Sequence, residues 1–135
     1  MAETFQEQYA SLLKEVFREQ ARQQLAQGEQ SMQSMDMARS YAGQGKPDFA
    51  LAYLLESDGS DEEKREVLAL SYEQRAHNSD QKAAQLATQF HRTFPLIKLE
   101  AQRDRAAARA IRDGHRLDKM PPAGSPDTTH DPPVG

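Results

Sequence analysis

The chain contains no cysteine and no tryptophan among its 135 residues. Without cysteine there can be no disulfide bonds, thiolate nucleophiles or cysteine-ligated zinc sites, so stability must come from packing, and the composition fits a reducing compartment. Aromatic residues make up only 7% of the sequence, whereas glutamine and alanine are frequent. This balance favours helices packed through small and aliphatic side chains, and it predicts an all-α fold.

Long apolar runs are missing as well. No stretch reaches the roughly 18 apolar residues that a membrane-spanning helix requires. The N-terminal MAETFQEQYA has neither the basic leader nor the apolar stretch of a signal peptide. These absences predict a soluble, intracellular protein, which we place in the cytoplasm, and we expect no membrane partner.

Proline is scarce except at one end of the chain. Five of the seven prolines lie in the C-terminal segment MPPAGSPDTTHDPPVG. This segment has no apolar periodicity, so burial cannot offset the entropy lost on ordering it. We therefore predict one helical domain over residues 1–119 and a disordered, proline-rich tail over residues 120–135.

Apolar residues that recur every three or four positions predict about six helices in the domain. Capping boxes at Thr4 and Ser60 and prolines at Pro47 and Pro95 mark four of the starts. The predicted spans are approximately residues 4–27, 31–43, 47–56, 60–76, 80–94 and 95–119, with the stretch HNSD (77–80) as a turn. The apolar stripe that we expect to face inward on the last helix comprises Leu96, Leu99, Ala106, Ala110 and Leu117.

Two stretches in the middle of the chain share a pattern. Ala38 and Ala69 each precede a tyrosine by three residues, and the two pairs are offset by 31 residues. Residues 34–57 resemble a tetratricopeptide repeat, and residues 65–95 are similar with an insertion in the HNSD turn. The repeat positions in the first stretch are Ala38, Tyr41, Gly45, Ala50 and Leu54.

The resemblance implies antiparallel helical hairpins that stack into a short solenoid with a concave wall. In such an array Ala38 would face Ala50, and Ala69 would face Ala83, so that the helix axes approach closely. A concave wall can hold a partner's peptide or helix. The side chains that we expect on this wall, from the second and fourth helices, are Arg39, Gln44, Arg65, Glu73 and Arg75.

Motifs for catalysis or cofactor binding are lacking. The four histidines are scattered and show no metal-ligand spacing. The stretch GQGK at residues 43–46 lacks the rest of a phosphate-binding loop, and the acidic pair Glu62 and Glu63 is explained by the first turn of a helix. We expect no enzyme activity, no cofactor and no metal.

Charge is distributed unevenly along the chain. The net charge is −4, yet residues 95–119 contain seven basic and four acidic residues, which leaves −7 for the remainder. Because the spacing of the basic residues follows the helical period, we expect a basic stripe along the last helix, which would meet an anionic partner or remain a solvated face. The stripe consists of Lys98, Arg105, Arg109, Arg112, Arg116 and Lys119.

The sequence therefore supports three functional hypotheses. The first is a protein–protein interaction adaptor or scaffold, which holds a partner of unknown identity in a helical groove. The second is a structural bundle that forms a homo-oligomer by pairing its long first helix with a second copy. The third is a basic-helix binder of nucleic acid or anionic lipid, although no aromatic residue lies among the arginines to stack bases, and we do not expect nucleic acid as the partner.

Overall fold

A computed structural model describes residues 3–27 and 32–122, and the regular secondary structure in this part of the chain is all helical. The prediction of an all-α fold with about six helices is confirmed. A short 3₁₀ turn, Ala10–Leu12, follows the first helix. The helices are α1 (Phe5–Tyr9), α2 (Glu15–Gln27), α3 (Met32–Gly43), α4 (Pro47–Leu55), α5 (Asp61–Phe90) and α6 (Pro95–Arg112).

The N-terminal region is two helices and not the single long helix that the sequence predicts over residues 4–27. The start is as expected, because the Thr4 hydroxyl accepts a hydrogen bond from the Glu7 amide at 3.1 Å. After the 3₁₀ turn, Leu13 has extended backbone, with φ −105° and ψ 134°, and α2 begins at Glu15. The break buries Leu13 and lets α1 contact α4 and α5 while α2 packs along α4.

The hairpin of α3 and α4 has the predicted form. The φ of Gly45 is +73°, and its amide and the Lys46 amide bond back to the carbonyl oxygens of Ala42 and Tyr41, which is a Schellman motif. Pro47 opens α4, where its missing amide is harmless. α4 is apolar on every side and is the central helix, with every residue from Ala50 to Leu55 buried.

α5 is one continuous helix of 30 residues. The turn predicted at residues 77–80 is wrong, because these polar residues lie inside the helix. Ala69 and Ala83 are both buried. On a single helix, however, they are about 21 Å apart along the axis, so they cannot face each other. The second of the two predicted hairpins is therefore not formed by residues 65–95.

α6 begins at Pro95 as predicted but ends earlier than the sequence suggested. Gly114, with φ +76°, closes it in a second Schellman motif. The predicted inward stripe is wrong in its α6 part, because Leu96 and Leu99 are 52% and 42% exposed. Leu117, beyond the helix, does pack against the core. The face that contacts α5 and the core carries Ile97, Ala101, Asp104, Ala107, Ala108 and Ile111.

Buried side chains form two clusters. The main core takes residues from α1 to α4, from the N-terminal half of α5 and from the C-terminal half of α6. A small second cluster, Ala83, Phe94 and Ile97 with Leu86 against it, lies between the far halves of α5 and α6. These two halves form a helical arm, which we define as residues 80–100.

The chain after α6 turns back across the core. Gln8 donates a hydrogen bond to the Gly114 carbonyl oxygen at 2.7 Å, and the Tyr72 hydroxyl donates to the Met120 sulfur at 3.4 Å. The predicted tail thus begins with residues that contact the domain, and its residues 123–135 lie outside the described part. Within residues 3–27 and 32–122, no helix has the length and apolarity needed to cross a membrane.

Candidate functional site

Of the side chains predicted to line a concave wall, two are exposed. Arg39 lies 3.6 Å from a carboxylate oxygen of Glu63. Gln44 lies at the end of the α3–α4 hairpin, where its carbonyl oxygen accepts a hydrogen bond from Asn78 at 3.4 Å. Arg39 therefore reaches α5 with its side chain, whereas Gln44 contacts α5 with its backbone and bonds to Ser40 with its side chain.

The other three predicted side chains form hydrogen bonds with residues of the same molecule. Arg65 donates hydrogen bonds to Gln8 and to the Glu3 carbonyl oxygen, both at 3.0 Å. Glu73 accepts a hydrogen bond from Arg112. These contacts fasten α5 to α1 and α6, so the two residues stabilise the fold.

Arg75 is the most enclosed of these charged side chains. It donates two hydrogen bonds to Asp104, each at 2.8 Å, and a third to the Pro121 carbonyl oxygen at 3.0 Å. Burial alone would lower the pKa of Arg75, but the hydrogen bonds that it donates to Asp104, together with the attraction of that negative charge, outweigh burial and raise it. The guanidinium therefore stays charged and joins α5, α6 and the segment that follows α6.

The predicted basic stripe is divided. Arg105, Arg112 and Arg116 each form an ion pair, with Asp80, with Glu66 and Glu73, and with Glu3 respectively. The hydrogen bonds that Arg112 donates to Glu66 and Glu73 raise the pKa of Arg112, and the bonds to Glu66 lower the pKa of the Glu66 carboxyl.

The remaining stripe residues, Lys98, Arg109 and Lys119, are exposed and have no ion pair with any described residue. Because α6 ends at Arg112, Arg116 and Lys119 are not on the helix. The six cations therefore do not form one continuous surface.

The structure brings together a different set of residues, an aromatic groove between α2 and α3 with α4 as its floor. Phe49 of α4 stacks on Tyr41 of α3 at 5.2 Å between ring centroids, and Tyr41 stacks on Tyr53 at 5.6 Å. Phe17 of α2 meets the Phe49 ring edge-on at 5.7 Å. Four of the nine aromatic residues of the chain thus line one concave surface.

The groove has a volume of about 450 Å³ and is open to solvent. Its wall on α2 carries three glutamines, and no charged residue is among the side chains that line it. Burial, with a smaller effect of Tyr41, raises the pKa of Tyr53, so the floor is uncharged at neutral pH. The complete lining is Phe17, Gln20, Ala21, Gln23, Gln24, Tyr41, Phe49, Ala52 and Tyr53.

Ion pairs hold the α2 wall in place. Arg22 donates a hydrogen bond to Glu56, at the end of α4, at 2.8 Å, and Arg18 reaches the same carboxylate at 3.5 Å. The α2 wall is therefore fixed to the C-terminal end of α4, which forms the floor.

Sequence reasoning missed the groove because aromatic residues at the helical period are typical of a buried face. Tyr53 is indeed buried, but Phe49 is 38% exposed. The signal available in the sequence is that three consecutive helices each carry at least one of four aromatic residues, out of nine in the chain.

A charged cavity at the end of α6 is a weaker candidate than the groove. This cavity of about 360 Å³ is lined by charged residues of α5 and the end of α6, including Arg65, Glu66 and Arg112, which already pair. No three histidine or acidic side chains of residues 3–27 and 32–122 are placed to hold a metal ion. Comparisons of the chain with protein-family models, with curated proteins and with solved structures find no match.

Proposed function

We propose that this protein is a non-catalytic interaction adaptor, and that its aromatic groove binds a short extended segment of a partner protein. The observation that carries the proposal is the partial exposure of stacked rings, Tyr41 and Phe49, on a concave surface. Apolar side chains exposed together in a groove mark binding surfaces more often than scattered ones do.

The chemistry of the groove indicates what it would bind. Aromatic rings that stand side by side accept proline and aliphatic side chains, as in domains that recognise polyproline segments. The amides of Gln20, Gln23 and Gln24 can both donate and accept hydrogen bonds. An extended backbone has free groups to pair with them, whereas a helix does not, so we favour an extended, uncharged segment.

The alternatives have less support. The structural bundle needs a long first helix to pair with its copy, and that helix is broken at Leu13. The basic-helix binder needs free cations, and half of the six are in ion pairs. We retain the tetratricopeptide likeness as a proposal for the α3–α4 hairpin.

A displayed library of random peptides tests the groove directly. The full-length protein should enrich peptides that contain proline or aliphatic residues, and a selected peptide should bind with a Kd on the order of 10 μM. Phe49→Lys places a charge on the floor, and Gln24→Trp fills the groove from an exposed position. Each variant should weaken binding by at least about tenfold, which is ~1.4 kcal/mol.

Leu70→Lys is the matched control, because Leu70 is a partly exposed apolar residue of α5 outside the groove. This variant should bind as the unmodified protein does, and thermal denaturation should show that all three variants fold. If the selected peptides bind the two groove variants as tightly as the control, the proposed site is wrong.

A further inference from the structure

A second surface, distinct from the groove, lies on the outer side of α6. The five residues Leu96, Leu99, Arg103, Ala106 and Ala110 are spaced by three, four, three and four positions. This is the spacing of the seam of a coiled coil, and it places the five side chains on one face of the helix. We call this face the α6 seam.

In the described part of the chain, the only neighbours of the seam outside α6 are Pro121 and Pro122, which border a cavity of about 50 Å³ beside Arg103. The side that packs on α5 and the core is the opposite one, centred on Ile97, Ala101 and Ala108. Leu96, Leu99, Arg103 and Ala106 are exposed, and Ala110 is half-buried. The seam therefore presents about four helical turns, roughly 21 Å, to solvent.

Charge indicates what would cover the seam. Arg103 lies at its centre, and Lys98 and Arg109 lie along one flank; all three are exposed, and none forms an ion pair with a described residue. An apolar seam with a central cation and a basic flank is complementary to a helix that has apolar seam residues, a central acid and an acidic flank.

The same charges oppose self-association. If two copies paired through this seam about its centre, Arg103 of each copy would face the other across the interface. Like charges at the centre of a desolvated interface are strongly unfavourable.

We propose that the α6 seam docks an acidic amphipathic helix of a second partner protein. The apolar residues supply the contact area, and Arg103 selects for a carboxylate at the matching position. Since the seam shares no residue with the aromatic groove, the adaptor could hold two partners at once, an extended segment on α2 to α4 and a helix on α6.

A designed helical peptide serves as the probe. It has three heptads, about 21 residues, with leucine and alanine at its seam positions, one central glutamate, and further glutamates on its flanks that keep it from pairing with itself. Fluorescence anisotropy of the labelled peptide with the full-length protein should give a Kd on the order of 10 μM. Leu99→Lys and Arg103→Glu should each weaken binding by at least about tenfold.

A peptide with the opposite charge at its centre tests whether Arg103 selects for a carboxylate at that position. A companion peptide with lysine in place of the central glutamate should bind Arg103→Glu more tightly than it binds the unmodified protein. Phe49→Lys and Leu70→Lys lie outside the seam and should leave binding of the acidic peptide unchanged. Because Leu99 and Arg103 are exposed, thermal denaturation should find both seam variants folded.

Four results would each overturn the proposal. The first is that the acidic peptide does not bind, and the second is that the two peptides bind the unmodified protein equally well. The third is that sedimentation finds a dimer that Leu99→Lys dissociates, which would assign the seam to a second copy. The fourth is that vesicles of anionic phospholipid bind through Arg103 while the peptide does not, which would assign the seam to a membrane surface.

Discussion

At the scale of single residues, Gly45 is the position where the hairpin of α3 and α4 meets α5. Its φ of +73° is one that side chains rarely adopt. A Cβ there would also lie 3.0 Å from the backbone nitrogen and Cα of Arg75. We expect Gly45→Ala to lower the free energy of unfolding by at least about 2 kcal/mol, measured by urea denaturation.

Gly43 is the matched control for this prediction. It is the last residue of α3, and a Cβ there would meet no atom within 4 Å. Gly43→Ala should leave stability unchanged or raise it by up to ~1 kcal/mol, because alanine favours a helix over glycine. Equal losses in the two variants would show that the hairpin does not approach α5 as described.

The contact between Glu66 and Arg112 makes the stability of the protein depend on pH. Hydrogen bonds from Arg112 lower the pKa of its carboxyl below the ordinary value. A carboxyl whose pKa is lowered in the folded state stabilises the protein above its ordinary pKa, and this contribution disappears as the pH falls through the lowered value. Because the pair is half-exposed, the contribution should be below ~1 kcal/mol.

We therefore expect Glu66→Gln to be less stable than the unmodified protein at pH 7, and this difference to shrink towards pH 3 in urea denaturation curves. Asp58→Asn is the control, because Asp58 is exposed and has no ion pair with a described residue. Its effect should not follow that trend. A difference for Glu66→Gln that grows towards acid pH would contradict the described pair.

At the scale of elements, the continuity of α5 is the largest departure from the sequence prediction. Polar residues such as Asn78 and Ser79 favour turns, but inside a helix each is only about 0.5 kcal/mol less favourable than alanine. Contacts to α6 on both sides, Arg75 with Asp104 and Arg105 with Asp80, hold the two helices in register. These contacts outweigh the preference of the local sequence for a turn. Because they join residues that are distant in the sequence, no local pattern could have revealed them.

A proline scan tests this continuity. Ser79→Pro should destabilise the protein by ~3 kcal/mol or more, because the ring removes a helical hydrogen bond and clashes with the preceding turn. Asp61→Pro should be tolerated, since Asp61 is the first residue of α5. If Ser79→Pro were as stable as Asp61→Pro, residues 77–80 would be a turn after all.

The contact between Arg75 and Asp104 is the main polar link between α5 and α6. The side chains are only 13% and 5% exposed, so removing one leaves the other charge buried without its partner. Asp104→Ala should therefore lower the free energy of unfolding by ~3 kcal/mol or more. The double variant Arg75→Met, Asp104→Leu should recover most of this loss, because it leaves no buried charge without a partner.

The exposed ion pair of Arg105 and Asp80 provides the comparison. Its two side chains are both more than a third exposed. Asp80→Ala should change stability by less than ~1 kcal/mol. A loss for Asp104→Ala no larger than that for Asp80→Ala would mean that the buried pair does not clamp the two helices.

At the scale of the whole molecule, the sequence was sufficient for the fold class and for most helix starts, because capping residues and prolines act locally. The boundaries at Thr4, Pro47, Ser60 and Pro95 are where the sequence placed them. The orientation of α6 was not predictable in this way. Both of its faces carry apolar residues at helical spacing, and the choice between them depends on Arg75, which accommodates Asp104 on the buried face.

The candidate groove could not be predicted from the sequence, for a related reason. Periodicity assigns Phe17, Phe49 and Tyr53 to a buried face, but it does not say whether a further helix covers them. In the structure α2 packs against α4 and α3 packs against α4 and α5. The rings between α2 and α3 are therefore left partly open, and this depends on the packing of three helices and not on any one of them.

The two hydrophobic clusters predict unequal stability across the molecule. The arm is held by Ala83, Phe94 and Ile97 with Leu86, whereas the main core joins residues from all six helices. Segments with few buried apolar contacts open at lower free energy than the core. In native-state hydrogen exchange, amides of residues 82–98 should therefore exchange by a partial opening, and those of residues 67–72 only by global unfolding.

Two variants separate this partial opening from global unfolding. Ile97→Ala should speed exchange in the arm and equally at residues 67–72, because its contacts in the arm cluster are lost both when the arm opens and when the whole protein unfolds. Leu68→Ala lies in the main core and should speed exchange at residues 67–72, with a loss of ~2–5 kcal/mol in global stability, but leave exchange in the arm unchanged. If Leu68→Ala instead speeds exchange equally in both regions, the arm and the core unfold as one unit, since the loss of a core contact cannot favour an opening that leaves the core folded.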